Sequence, residues 1–241
     1  MKLVLHKVRL SWFFFVFFVV FMAAAFLVPQ RTLEPAALTL FSVNSFLFGF
    51  YIAPVLGRQS TRIDELGKAV RAESIALFDM LLRTKTLRRN TRNKLQDMFE
   101  TYMQACLRQR HAAEGEEQYE ALIGYCLKYE GDDKETVDKI LNLLIANQQN
   151  RSNLAMQLAN RVYSNEWWIM LVLFGITMSF VLFLKVGTDN FMMTLIKGLL
   201  CTGLSMLMIN LLKLSTLTHK KAKSIWDPLH RLVETRFYRI D

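Results

Sequence analysis

Two stretches near the amino terminus, Leu10–Gln30 and Pro35–Gly57, contain no Asp, Glu, Lys or Arg. Each exceeds the roughly 20 apolar residues needed to cross about 30 Å of hydrocarbon, and only the short segment Arg31–Glu34 separates them. Trp167–Leu184 is a third uncharged run, and Phe191–Leu212 a fourth, interrupted only by Lys197. The pattern predicts an all-α, polytopic membrane protein with four transmembrane helices and a helical cytosolic block. The expected divisions are a transmembrane hairpin at 1–57, the cytosolic block at 58–166, a second hairpin at 167–212 and a basic amphipathic segment at 213–241. This plan leaves no room for a water-soluble enzyme.

The formal net charge of +9 raises the question of a nucleic-acid surface. Gly57–Glu166, the large polar stretch, carries 17 basic and 16 acidic residues and is nearly neutral. The excess sits at the chain ends, at Lys2, Lys7 and Arg9 and again beyond Lys213, which is where the positive-inside rule places it. Both termini are therefore expected in the cytoplasm, with no nucleic-acid partner. Lys2 to Arg9 followed by an apolar run ending in Ala23, Ala24 and Ala25 imitates a signal peptide. Apolar residues continue to Val28, so an uncleaved helix is expected. Cys106, Cys126 and Cys201 form no close pair and read as free thiols used in packing.

Phe41–Arg58, FSVNSFLFGFYIAPVLGR, differs from a helix built only to face lipid. It mixes Ser42, Asn44, Ser45, Gly49 and Pro54 into an apolar run, a composition suited to contact with protein or water. Ser42, Phe46 and Phe50 recur at four-residue steps, so symmetric copies of this helix would place rings of phenyl groups around a common axis. Such rings would make a narrow apolar pore neck. Gly49 suits close helix packing. Pro54 cannot donate its backbone bond and is expected to bend the helix just past the neck. Arg58 and Arg62 would then form a basic inner rim.

Phe46-x-x-Gly49-Phe50-Tyr51-Ile52, followed by Val55, Leu56 and Arg58, resembles the second membrane helix of the bestrophins. The stretch 57–110, with Glu73, Leu77 and Tyr102, is similar to the compact bacterial bestrophin-like domain. The resemblance implies an oligomeric channel, a homopentamer, that conducts small anions such as chloride through a central pore in a bacterial inner membrane. No acidic cluster here matches the calcium clasp of the animal proteins, and calcium gating is not implied. No cofactor is expected. Phenyl rings present electropositive edges, and a basic rim would enrich anions locally.

Beyond Arg58, Ile63, Leu66, Val70, Leu77, Leu81 and Leu82 recur at three- and four-residue steps, which predicts that the membrane helix continues into the polar block. Asp132 and Glu135 have the spacing of a capping box. They would open a long helix with a seam of Val137, Ile140, Leu141, Leu144, Gln148, Ala155, Leu158 and Val162, running to Asn165 and into the third span. The short Arg31–Glu34 loop predicts that the second helix returns beside the first. Lys197 reads either as an anchor that snorkels to the surface or as a positive charge lining an outer vestibule. Asp227-Pro228 is placed to start a final helix with an apolar face of Leu229, Leu232, Val233 and Phe237.

The sequence contains no P-loop, GxSxG, HExxH or Cys/His ligand spacing, and its scattered histidines suggest no metal site. An enzyme is not expected. The rivals to a channel are a non-conducting membrane scaffold or signalling protein whose cytosolic helices bind a partner and, more remotely, a transporter.

Overall fold

The structure, a computed structural model, describes residues 9–109, 115–160, 162–185, 191–218 and 224–239. The described elements are helices α1 (Leu10–Leu27), α2 (Pro35–Thr84), α3 (Arg89–Gln109), α4 (Glu116–Leu127), α5 (Lys134–Ala159), α6 (Ser164–Phe183), α7 (Phe191–Ser215) and α8 (Asp227–Thr235). A short 3₁₀ turn, Phe237–Arg239, follows α8. Helices α1, α2 and α7 are long and apolar enough to cross a membrane, as is the stretch Lys134–Phe183, which contains α6. The chain divides into two compact units, Met1–Thr61 with Arg161–His219, and Arg62–Asn160 with Lys220–Asp241.

In the first unit α1 makes its close packing with α7, not with α2. Helix α2 does lie beside α1, as the short loop predicts, since Phe21 and Phe41 pack on one cluster of Met178, Val181 and Cys201, but the close approach is to α7 because it depends on side-chain bulk. A stripe of small residues along α7, Thr194, Gly198, Cys201, Thr202 and Ser205, is buried. Gly198 fixes the spacing, because a Cβ there would lie 2.7 Å from Met22 Sδ. Helix α2 instead meets α6 and α7 through large side chains, with Phe48, Ile52 and Val55 packed among Met170, Met208 and Leu211. The loops after α1 and α6 are joined by a bridge. Arg31 N donates to Phe183 O at 2.8 Å and Lys185 N donates to Arg31 O at 2.9 Å.

The second unit is built from the later part of α2 with α3, α4, α5 and α8. Helix α2 runs without interruption through Pro54 to Thr84, as the apolar periodicity predicts. It buries Ile63, Leu66, Val70, Leu77 and Leu81, whereas Leu82 is exposed. The α5 seam departs from expectation, because it buries Asn147, Arg151 and Leu154 between Leu144 and Leu158 while Gln148 and Ala155 are exposed. Those steps of three and four keep the helical phase, and they carry polar groups into the interior.

Asp132 and Glu135 form no capping box. Helix α5 starts after Asp133, Asp132 pairs with Arg88, and Glu135 pairs with Lys139 at 2.6 Å. Nor does α5 run into α6, since it stops at Ala159. Arg62 Nε donates to Gln157 O at 2.7 Å and its Nη2 to Leu158 O at 3.3 Å. A helix end leaves carbonyls without intrahelical donors, and this buried guanidinium supplies them. The final turn docks on α3, where Gln96 Nε2 donates to Tyr238 O at 2.7 Å and Arg239 reaches Glu100 at 2.6 Å. Phe237 stacks on Phe78 with centroids 4.7 Å apart.

Candidate functional site

Within its unit, α2 has a packed face and an uncovered face. Phe48, Ile52 and Val55 are almost wholly buried. On the uncovered face, Phe46 and Phe50 are each 69% exposed, and their rings stack with centroids 6.0 Å apart. Ser42 and Gly49 are exposed beside them. A Cβ added at Gly49 would touch nothing among the described residues, so this glycine accommodates no close neighbour among them. Pro54 is exposed in the unbroken helix. Asn44 turns the other way, donating to Thr177 Oγ1 at 2.9 Å and to Leu173 O at 3.2 Å, which satisfies a polar group between apolar helices.

The two arginines grouped as a rim are placed differently. Arg58 is exposed, and its Nη2 lies 2.6 Å from Glu166 Oε1 on α6. Arg62 is buried at the end of α5. At about 100° per residue it falls on the side of α2 that carries Ile63 and Leu66. Lys197 is also buried, and its ammonium donates to Gln30 Oε1 at 2.8 Å and to the carbonyl of Leu184. Neither snorkelling nor vestibule lining describes that position. Lys197 fastens the bridged loops after α1 and α6.

The family model of the Bestrophin-like domain matches residues 10–217, spanning α1 to the end of α7. The chain belongs to the bestrophin-like family. Among curated proteins and among solved structures, nothing matches it.

A second polar constellation in this bestrophin-like chain lies in the Arg62–Asn160 unit, where α2, α3, α4 and α5 converge. Tyr102 donates its hydroxyl to Glu73 Oε1, and both residues are buried. The Arg151 guanidinium lies over the rings of Tyr119 (3.8 Å) and Tyr102 (5.4 Å), and Arg151 donates to Glu116 Oε2 at 2.7 Å. Tyr119 donates to Leu144 O at 2.7 Å and accepts from Asn147 at 3.3 Å. Gly115 is required here, because a Cβ would come within 2.7 Å of both Cys106 Sγ and the Tyr102 ring.

Burial raises the Glu73 carboxyl above its ordinary value, against the opposing effects of the Tyr102 hydrogen bond and the Arg151 charge. Burial also pushes the Tyr102 phenol well up, and it takes the Cys106 thiol and the Tyr119 phenol each to about 12. A thiol in that range is a poor nucleophile. The cluster can hold a proton and fix four helices, and it supplies no activated base or nucleophile. Among the described residues no group of His, Cys, Asp or Glu could hold a metal, and Cys106, Cys126 and Cys201 are free and buried.

Glu73 and Tyr102 stand in the stretch that resembles the bacterial family, but their contact and the part played by Arg151 were not read from the sequence. The available signal was the phase of Asn147 and Arg151, which continue the Leu144 seam toward Leu154 and Leu158.

Proposed function

We propose that this bestrophin-like protein is the subunit of a homo-oligomeric channel, a pentamer by family likeness, in which copies of α2 surround an axis and small chloride-like anions pass Phe46 and Phe50. In this reading 1–57 and 167–212 lie in a bacterial inner membrane. The block at 58–166, the segment at 213–241 and both termini are cytoplasmic. Membership of a channel family supports it.

The observation that carries the reading is the uncovered ladder of Phe46 and Phe50 beside Ser42 and Gly49, opposite the face that α2 packs on its own chain. Comparison with α1 gives this face its meaning. The large exposed residues of α1, Trp12, Phe15, Val19 and Phe26, are all apolar or aromatic, as lipid contact favours. The α2 face adds a hydroxyl and a bare backbone position to stacked rings, which suits other copies of α2 around a narrow lumen. A collar of phenyl groups holds water poorly, so the resting channel is closed or nearly closed by dewetting.

Single-channel recording in planar bilayers tests the reading, with oligomer mass measured for every variant. Phe46→Ala with Phe50→Ala should give a constitutively leaky channel of parental mass. Ile52→Ala, on the packed face, should cost stability without opening the pore. A double variant that assembles and conducts like the parent would remove Phe46 and Phe50 from the ion path. A parent that assembles yet passes no ion under any applied voltage would favour the scaffold.

A further inference from the structure

Arg58 stands where the Pro35–Gly57 apolar run ends, and its charge is already engaged. Its Nη2 lies 2.6 Å from Glu166 Oε1, and the two side chains are unequally exposed, 59% for Arg58 and 17% for Glu166. Glu166 is held from its other side, since its Oε2 accepts from Tyr163 N at 3.3 Å. It also occupies the first turn of α6, where the helix dipole favours a carboxylate. The carboxylate is therefore the fixed member of the pair, and the long guanidinium side chain is the movable one.

Helical phase places Arg58 about 100° from the mean direction of Phe46 and Phe50. A side chain at that angle can lean toward α6 or toward the aromatic face, and the contact with Glu166 holds it to α6. The pairing also offsets the arginine's charge close to its source, and the field of a paired charge falls off faster than that of a bare one.

Resting on the channel reading above, we propose that Glu166 is a specificity-determining residue. By drawing Arg58 toward α6, it sets how much positive charge the mouth of the Phe46 and Phe50 face offers to a passing anion. Loss of the carboxylate releases the guanidinium and strengthens anion selection. Glu166 acts on ions through Arg58.

The test uses the full chain in liposomes or planar bilayers, with reversal potentials measured across a potassium chloride gradient. Glu166→Gln should raise the chloride-to-potassium permeability ratio about two- to fivefold at low salt. The gain should vanish near 1 M salt, where the Debye length is about 3 Å. Glu166→Asp, which keeps the charge, should retain the parental ratio. In an Arg58→Gln background the gain from Glu166→Gln should fall by at least half.

A purely structural ion pair would change yield or thermal stability and leave the ratio where it was. Should Glu166→Gln fail to assemble, Glu166→Thr gives the same uncharged comparison. A conducting parent whose ratio does not move in either uncharged variant overturns this inference and leaves the channel reading standing. A parent that carries no current overturns the channel reading itself.

Discussion

Two of the buried cations, Lys197 in the first unit and Arg151 in the second, are satisfied by opposite chemistry. Lys197, on a helix apolar enough to cross a membrane, meets the neutral oxygens of Gln30 and Leu184. Arg151, in the unit with the polar helices, meets the Glu116 carboxylate and the faces of two tyrosines, with Glu73 hydrogen-bonded to one of them. The point-like ammonium suits converging carbonyl oxygens, whereas the planar guanidinium can stack and donate at once. The contrast shows two uses of a buried charge. Lys197 ties loops at the end of a span, and Arg151 sets the register of four helices.

The contrast is open to test by removing each cation, and the largest loss is expected at Arg151. Arg151→Met strips the donors from Glu116 and Gln148 and leaves Glu73 without the nearby positive charge. It should destabilise its unit by about 2–4 kcal/mol, below the full buried-pair value because Glu116 can rehydrate. Thermal melting in detergent measures the loss, and Arg151→Lys should recover only a small part of it, since it cannot reproduce the stacked fork. Next comes Gly115→Ala, which drives a methyl group into the Tyr102 ring and should cost about 1–3 kcal/mol. Gly198→Ala meets a movable Met22 thioether and should cost less.

Lys197→Met should cost about 1–2 kcal/mol, the loss of a donor from two acceptors at a helix end. Protease cleavage in the loops after α1 and α6 should rise at the same time. If Lys197→Met proves as damaging as Arg151→Met, the two cations are not used differently. The smallest effect concerns pH. Because the Glu73 carboxyl is raised in the folded state, native protein binds its proton more tightly than unfolded chain does. Stability should therefore fall as pH rises from the ordinary carboxylate range through the raised value, and Glu73→Gln should flatten that slope.

Much of this architecture was legible because local pattern dictates it. Apolar run length located the membrane-length helices, and the Ile63 to Leu81 periodicity carried α2 past Pro54 to Thr84. The grouping of Ser42, Phe46 and Phe50 on one face follows from helical phase alone. What was missed depends on partners distant in sequence. Nothing near Asn160 announces that Arg62 will cap the end of α5. Loop length set α2 beside α1, and the small residues of α7 decided which helix α1 approaches most closely. Asn147 and Arg151 stand outside the expected apolar seam, and they are buried because their acceptors and ring partners lie on other helices. Lys197 posed a choice between two exposed roles, and the bridged loops supply a buried third.

The pairing of α1 with α7 also bears on how the chain is made. Synthesis delivers α1 well before α7, its close partner, with α2 and α6 emerging between them. During translation the small-residue groove around Gly198 does not yet exist, so α1 must wait with its packing surface against lipid or the insertion machinery. Gln30 waits as well, for an ammonium on the same late helix. The first unit therefore closes in one late step, when α7 arrives to seat Met22 and Lys197 reaches Gln30 and Leu184. A ribosome-bound chain ending before Phe191 should hold α1 inserted but unpaired.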